Sequence, residues 1–255
     1  ATRTFITTNE IENTQTLVDQ NTSLGLAKLT SNYKPSKNLQ WDYEILLRSS
    51  AEEEEIGTLS VADITDTILE HQEQKPLTLT QNSNLYYTLN EKNIFALEVQ
   101  YEYSDEDPFY NVVREERPFV GIVPVNTEQE DFNIGQRQFN RTNRLDARLD
   151  YFWVLGTKSN LNFTLGTIQS SQRFNSSIFQ VLDSGDQNTF VDEDLGNTVR
   201  FNFSDYYLGL HYKLISGKFT FNPGFHVHDY RASNEQLGAQ TVDTMFNIVP
   251  DVFIN

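Results

Sequence analysis

VRFNFSDYYLGLHYKLISGKFTFNPGFHVHDY, residues 199–230, decides the fold. After the short connection Ile215-Ser216-Gly217-Lys218, the side chains of Phe219, Phe221, Phe225 and Val227 fall on one face and those of Thr220, Asn222, His226 and His228 on the other. That period of two is the signature of a strand with one apolar face. Before the connection, Tyr206, Leu208, Leu210 and Tyr212 repeat the pattern against Tyr207, Gly209, His211 and Lys213. Gly217 supplies the positive φ that a tight hairpin turn requires. The stretch therefore reads as two long strands joined by one tight turn.

Strands of a soluble sandwich usually stop at about 5–6 residues and bury their apolar face against a second sheet. A strand crossing a bilayer needs about 9–11 residues, faces lipid on one side and water on the other, and carries aromatic residues near the interfaces. Residues 199–230 fit the second description. No run in the 255 residues approaches the roughly 18 apolar positions of a membrane helix. A formal charge of −17 excludes nucleic acid as a partner, because phosphate backbones demand stripes of Lys and Arg. The chain has no cysteine, hence no disulfide framework and no thiolate metal site.

The same hairpin recurs along the chain. Residues 1–20 are polar, with a short strand expected at Thr4 to Thr8. The first hairpin, at about 23–50, turns at Lys34-Pro35-Ser36-Lys37-Asn38 and returns with Leu39, Trp41, Tyr43, Ile45 and Leu47 opposite in parity to Gln40, Asp42, Glu44 and Arg48. A long polar connection is expected from Glu52 to Pro76. The second hairpin, 77–104, turns at Asn90-Glu91-Lys92-Asn93 and alternates Phe95, Leu97, Val99, Tyr101 and Tyr103 with Glu98, Gln100 and Glu102. A loop follows to about Gly135. The third, 136–175, carries Asp146, Arg148 and Asp150 on its polar face and turns at residues 156–160; the fourth is 199–230, after a loop at 176–197. A further strand is expected at 245–255.

Short turns thus recur roughly every 60 residues, with long polar links between them, the asymmetry of an outer-membrane barrel with short periplasmic turns and long external loops. A propeller blade has a similar period but lacks strands of this length. The fold class is all-β, an antiparallel transmembrane β-barrel.

The run DYYLGLHYKLISGKFTFNPGFHVHDY, with Gly224 to His228 closing its second strand, resembles the mid-barrel hairpin of TonB-dependent outer-membrane receptors of the Bacteroidetes type. Phe246 to Ile254, with its aromatic, Pro250 and alternating strand, and Leu26 to Leu47 with its KPSKN turn are also similar to that family. His226 and His228 stand where the family commonly has Arg and Glu, and no plug domain or TonB box is recognisable. The resemblance implies a stretch of a 22-stranded barrel in the outer membrane of a Gram-negative bacterium. It further implies uptake of a bound nutrient past a plug, with outer-membrane lipid, the TonB energising complex and a surface lipoprotein as partners. A barrel acting as scaffold, porin or secretion component is the alternative, favoured if the whole gene lacks a plug.

Candidate site residues are those of the polar, lumen-facing parity: Asp42, Glu44, Glu98, Asp146, Arg148, Asp150, His211, His226 and His228. Asp146, Arg148 and Asp150 read as a lumen ion-pair ladder, and the histidines as polar lumen lining, although His226 and His228 have the i, i+2 spacing of a metal-ligand pair. Asp105-Glu106-Asp107 and Asp192-Glu193-Asp194 lack calcium-loop spacing and read as solvated loop charge. Phe109, Tyr110 and Phe119 are expected in loops. No nucleophile has a positioned base, so no enzyme activity, cofactor or metal is expected.

Overall fold

The computed structural model describes residues 2–4, 11–62, 65–118, 120–190 and 195–254. Thirteen strands are found among them: β1 (Thr2–Thr4), β2 (Ile11–Ser36), β3 (Leu39–Val61), β4 (Thr65–Gln74), β5 (Leu77–Asn90), β6 (Asn93–Glu106), β7 (Phe109–Arg114), β8 (Phe132–Gly156), β9 (Ser159–Val181), β10 (Gln187–Thr189), β11 (Asn197–Ser216), β12 (Phe219–Gln236) and β13 (Ala239–Ile254). All belong to one sheet, and every pairing is antiparallel. The fold is all-β. Most of the strand expected at Thr4 to Thr8, together with Asp192-Glu193-Asp194, Phe119 and Asn255, lies outside the described residues.

β2 and β3, β5 and β6, β8 and β9, and β11 and β12 pair as hairpins, because the two-residue turns between them leave no other geometry. Those turns fall at Lys37-Asn38, Glu91-Lys92, Thr157-Lys158 and Gly217-Lys218, inside the four connections that the alternation predicts. Gly217 has φ +61°, the left-handed backbone a tight hairpin needs. A fifth tight turn, Leu237-Gly238, joins β12 to β13 with φ of 49° and 80°; no Gly-plus-polar pair announces it, so the last strand begins at Ala239, six residues before the point expected from alternation.

The first polar connection is largely strand, and the other two are strand in part. The connection expected from Glu52 to Pro76 continues β3 to Val61 and returns as β4, whose Thr65 to Gln74 pair residue by residue with Val61 to Glu52. Phe109 and Tyr110, expected in a loop, belong to β7. Alternation fades there because both faces of these extensions suit water, while the backbone ladder persists without it. Pro76 and Pro108 interrupt the strands, since proline has no N–H to give a ladder. The two breaks are adjacent in the sheet, and each proline carbonyl still accepts a bond from a neighbouring strand: Ser50 N donates to Pro76 O at 3.1 Å and Gln138 N to Pro108 O at 2.9 Å.

The register sorts the side chains into two faces. Leu97, Leu149, Leu165, Leu208, Val227 and Ile248 stand in one row across six strands, and Leu149, Leu165, Leu208 and Ile248 are exposed on it. The row beside it, on the opposite face, is Glu98, Arg148, Gly166, Tyr207, His228 and Asn247. Nothing described packs on the apolar face. The small hydrophobic cluster, Val123, Val125, Phe132 and Ile134, instead sits where residues 120–131 fold back onto β8 and β9. Gln180 is fully buried there and pins the loop: its Oε1 accepts from Asn126 N at 2.7 Å and its Nε2 donates to Asn126 O at 2.9 Å.

The sheet is open. Among the described residues β13 pairs only with β12, and the outer edge of β2 pairs only at its start, with β1.

Candidate functional site

The nine sequence-predicted site residues share the polar face and form one continuous lining. At its β2 side, Asn32 Nδ2 and Gln40 Nε2 both donate to Asp42, the latter at 2.9 Å, and Lys28 pairs with Glu44 at 2.8 Å. Asn82 and Asn84 on β5 link that end to Glu98, Gln100 and Asp146, which in turn border Arg148 and Tyr207.

Arg148 is the hinge of the charge ladder. Its Nη2 lies 2.8 Å from Glu98 Oε2 and its Nε 3.0 Å from Asp150 Oδ2. Asp150 is 6% exposed, and its other oxygen accepts from Thr164 Oγ1 at 2.6 Å and Asn162 Nδ2 at 3.2 Å. A carboxylate so enclosed is stable only because each oxygen has a donor. The expected trio is therefore rearranged: Arg148 bridges Asp150 to Glu98 on the neighbouring strand, while Asp146 makes no ion pair among the described residues.

Beyond the ladder, Tyr207 and the three histidines continue the lining into a cleft of about 560 Å³ bordered by Arg148, Asp150, Lys213 and Asn222. Tyr207 stacks on His228, ring centroids 5.3 Å apart, and meets His226 edge-on at 6.1 Å. His228 Nδ1 lies 3.0 Å from both oxygens of Asp205, which is 3% exposed. His211 Nε2 lies 3.0 Å from Asp251 Oδ2, and His226 Nδ1 3.5 Å from the same oxygen. Asp205, Tyr207 and Asp251 are the residues that sequence reasoning missed. Parity places Tyr207 opposite in face to Tyr206, a usable signal; the partnership of Asp251 with the histidines depends on the β12–β13 register, in which Gly224 faces Asp251.

On the face that carries the leucine row, toward the far end of β6, sits a different pair. Arg141 contacts Asp105 at 2.6 Å, and Tyr103 donates its hydroxyl to the same carboxylate at 2.7 Å. Burial works to raise the Asp105 pKa, but the hydrogen bonds from Tyr103 and Arg141 and the guanidinium charge outweigh it and hold the carboxyl below its usual range.

No protein-family model and no curated protein matches the sequence. Among solved structures the chain is similar to the ferric citrate transporter FecA in its unliganded form, at 9% identity and a TM-score of 0.34, over 93% of this chain and 41% of that one. It is similar to the siderophore receptor PiuA from Acinetobacter baumannii at 11% identity and a TM-score of 0.37, over 96% and 44%. The outer membrane protease OmpT from Escherichia coli aligns at 11% identity and a TM-score of 0.28, over 93% and 95%. The chain spans less than half the length of the first two.

Proposed function

We propose that this chain is the wall of a large transmembrane β-barrel in the outer membrane of a Gram-negative bacterium, and that the barrel is a TonB-dependent uptake receptor of the Bacteroidetes type. The observation that carries the reading is the single-layer sheet with registered faces: Leu149, Leu165, Leu208 and Ile248 exposed in one row, and a charged, hydrogen-bonded lining on the other side. Water would make the apolar row costly, whereas lipid satisfies it. A polar lining of paired charges then faces a wet lumen. Open edges are not tolerated in hydrocarbon, so the edges of β2 and β13 are paired by further strands of a 22-stranded barrel. The uptake role rests on the resemblance of residues 206–230 and 246–254 to that receptor family; it makes the protein a transporter rather than an enzyme, with TonB as its energy-coupling partner and a surface lipoprotein as a candidate lid.

Single cysteines test the wall directly, because the chain has none of its own. With the protein in vesicles, a water-soluble maleimide is expected to label Asn247→Cys and to leave Leu208→Cys unlabelled; equal labelling of both sinks the membrane reading. Ligand uptake by cells that is abolished when TonB is deleted supports the receptor, and unchanged uptake leaves the passive-barrel alternative in its place.

A further inference from the structure

We propose that His211, His226 and Asp251 form a binding site for a divalent first-row transition cation, with one coordination position open to the cleft. The site is independent of what the barrel transports.

The donor atoms are already gathered. One ring nitrogen of His211, one of His226 and a carboxylate oxygen of Asp251 all lie within 4.8 Å of one another. Two of the three separations are 3.0 and 3.5 Å. With metal–ligand bonds of about 2.0–2.2 Å, donors of a tetrahedral site stand roughly 3.3–3.6 Å apart, so the 3.5 Å between His226 and Asp251 already fits and the 3.0 Å between His211 and Asp251 opens by roughly 0.3 Å when the ion enters. Three protein donors and a free fourth position make an exchangeable site rather than a closed structural one.

The chemistry of the donors selects the ion. Calcium and magnesium take shells of oxygen, whereas imidazole nitrogen suits zinc, copper, iron and nickel. The carboxylate supplies negative charge between two imidazoles whose ring centroids are 4.8 Å apart. A bound cation satisfies all three groups at once.

The rings are held in advance. His211 faces Gly224 across the β11–β12 ladder, and His226 faces Gly209. A Cβ at Gly224 would stand 2.1 Å from Cδ2 of His211, and one at Gly209 2.6 Å from Cδ2 of His226. Each imidazole thus lies over the one residue type that leaves room for it. Tyr207 and the His228–Asp205 pair pack behind His226. Rings fixed this way lose little freedom when the ion binds.

The test is a Zn²⁺ titration of the intact protein in detergent, followed by calorimetry and by the visible bands of Co²⁺ in the same site. Glu53, Glu55 and His71 form another, exposed donor group, so the titration uses a His71→Gln background. One Zn²⁺ per chain is expected there, with affinity falling at least tenfold in Asp251→Asn and in His226→Gln, and with four-coordinate Co²⁺ bands lost in both. Heat-modifiable gel mobility shows that each variant is folded. Zn²⁺ is also expected to protect His211 and His226 of the unsubstituted chain from diethyl pyrocarbonate, read by peptide mass. Absence of Zn²⁺ binding, binding unchanged by both substitutions in folded protein, or absence of protection would each overturn the site.

Discussion

Gly224 faces His211 so closely across the β11–β12 ladder that a methyl group on Gly224 would stand 2.1 Å from the His211 ring. The same relationship holds between Gly166 and Tyr207, where the distance is 2.1 Å, and between Gly209 and His226. Three glycines on the polar face of neighbouring strands are therefore seats for rings. Gly224→Ala is expected to displace His211, to cost about 1–3 kcal/mol through overpacking, and to weaken Zn²⁺ binding. Urea unfolding in vesicles and the zinc titration measure the two effects.

Leu208 and Asn247 lie in adjacent rows on opposite faces. Leu208→Arg puts a charge into lipid and is expected to destabilise the folded barrel by about 2–4 kcal/mol, the cost of Arg near a bilayer midplane. Asn247→Arg, on the wet face, is expected to stay within about 0.5 kcal/mol of the parent. Equal losses in the two variants contradict the assignment of faces.

Arg148 serves two carboxylates, and Asp150 is the enclosed one. Arg148→Ala leaves Asp150 with Thr164 and Asn162 as its only donors, an expected loss of about 1–2 kcal/mol after allowing for the solvent that reaches Arg148. Adding Asp150→Asn to that variant is expected to restore part of the loss, since the amide carries no unpaired charge. A double-mutant cycle reads the coupling.

The Asp105 carboxyl is held below its usual range by Tyr103 and Arg141. A carboxyl with a depressed folded-state pKa binds its proton more readily when unfolded, so it stabilises the fold above the unfolded value of about 4 and loses that contribution as pH falls through the folded value. Unfolding followed from pH 7 downward is expected to show a steeper loss below about pH 4 in the parent than in Asp105→Asn. Parallel curves contradict the linkage.

Gln180 imitates a strand, giving one donor and one acceptor to the backbone of Asn126. Gln180→Ala leaves the half-buried N–H and C=O of Asn126 without their partner, an expected loss of about 1–2 kcal/mol in all. The cost falls on residues 120–131 rather than on the long ladders. Hydrogen exchange is expected to quicken in residues 120–131 and to stay unchanged in β8 and β9 near their Thr157-Lys158 turn.

By itself the sequence determined what is local. Period-two alternation marks Leu39 to Leu47, Phe95 to Tyr103 and Phe219 to Val227 as strands with one apolar face, and the short links mark four turns, because alternation and turn chemistry are written in neighbouring residues. The polar parity of Asp42, Glu98, Arg148 and His226 follows from the same rule. Only the tertiary structure decided the rest. The extension of β3 to Val61 and the return of β4 rest on ladder bonds between strands whose two faces both meet water, where side chains carry no alternation to read. The Leu237-Gly238 turn, and with it the register that brings Asp251 beside His211 and His226, is a relation between strands. So is the choice of Glu98 over Asp146 as the partner of Arg148. Which carboxylate meets which base is fixed by cross-strand register, a distance in space that residue order along one strand does not contain.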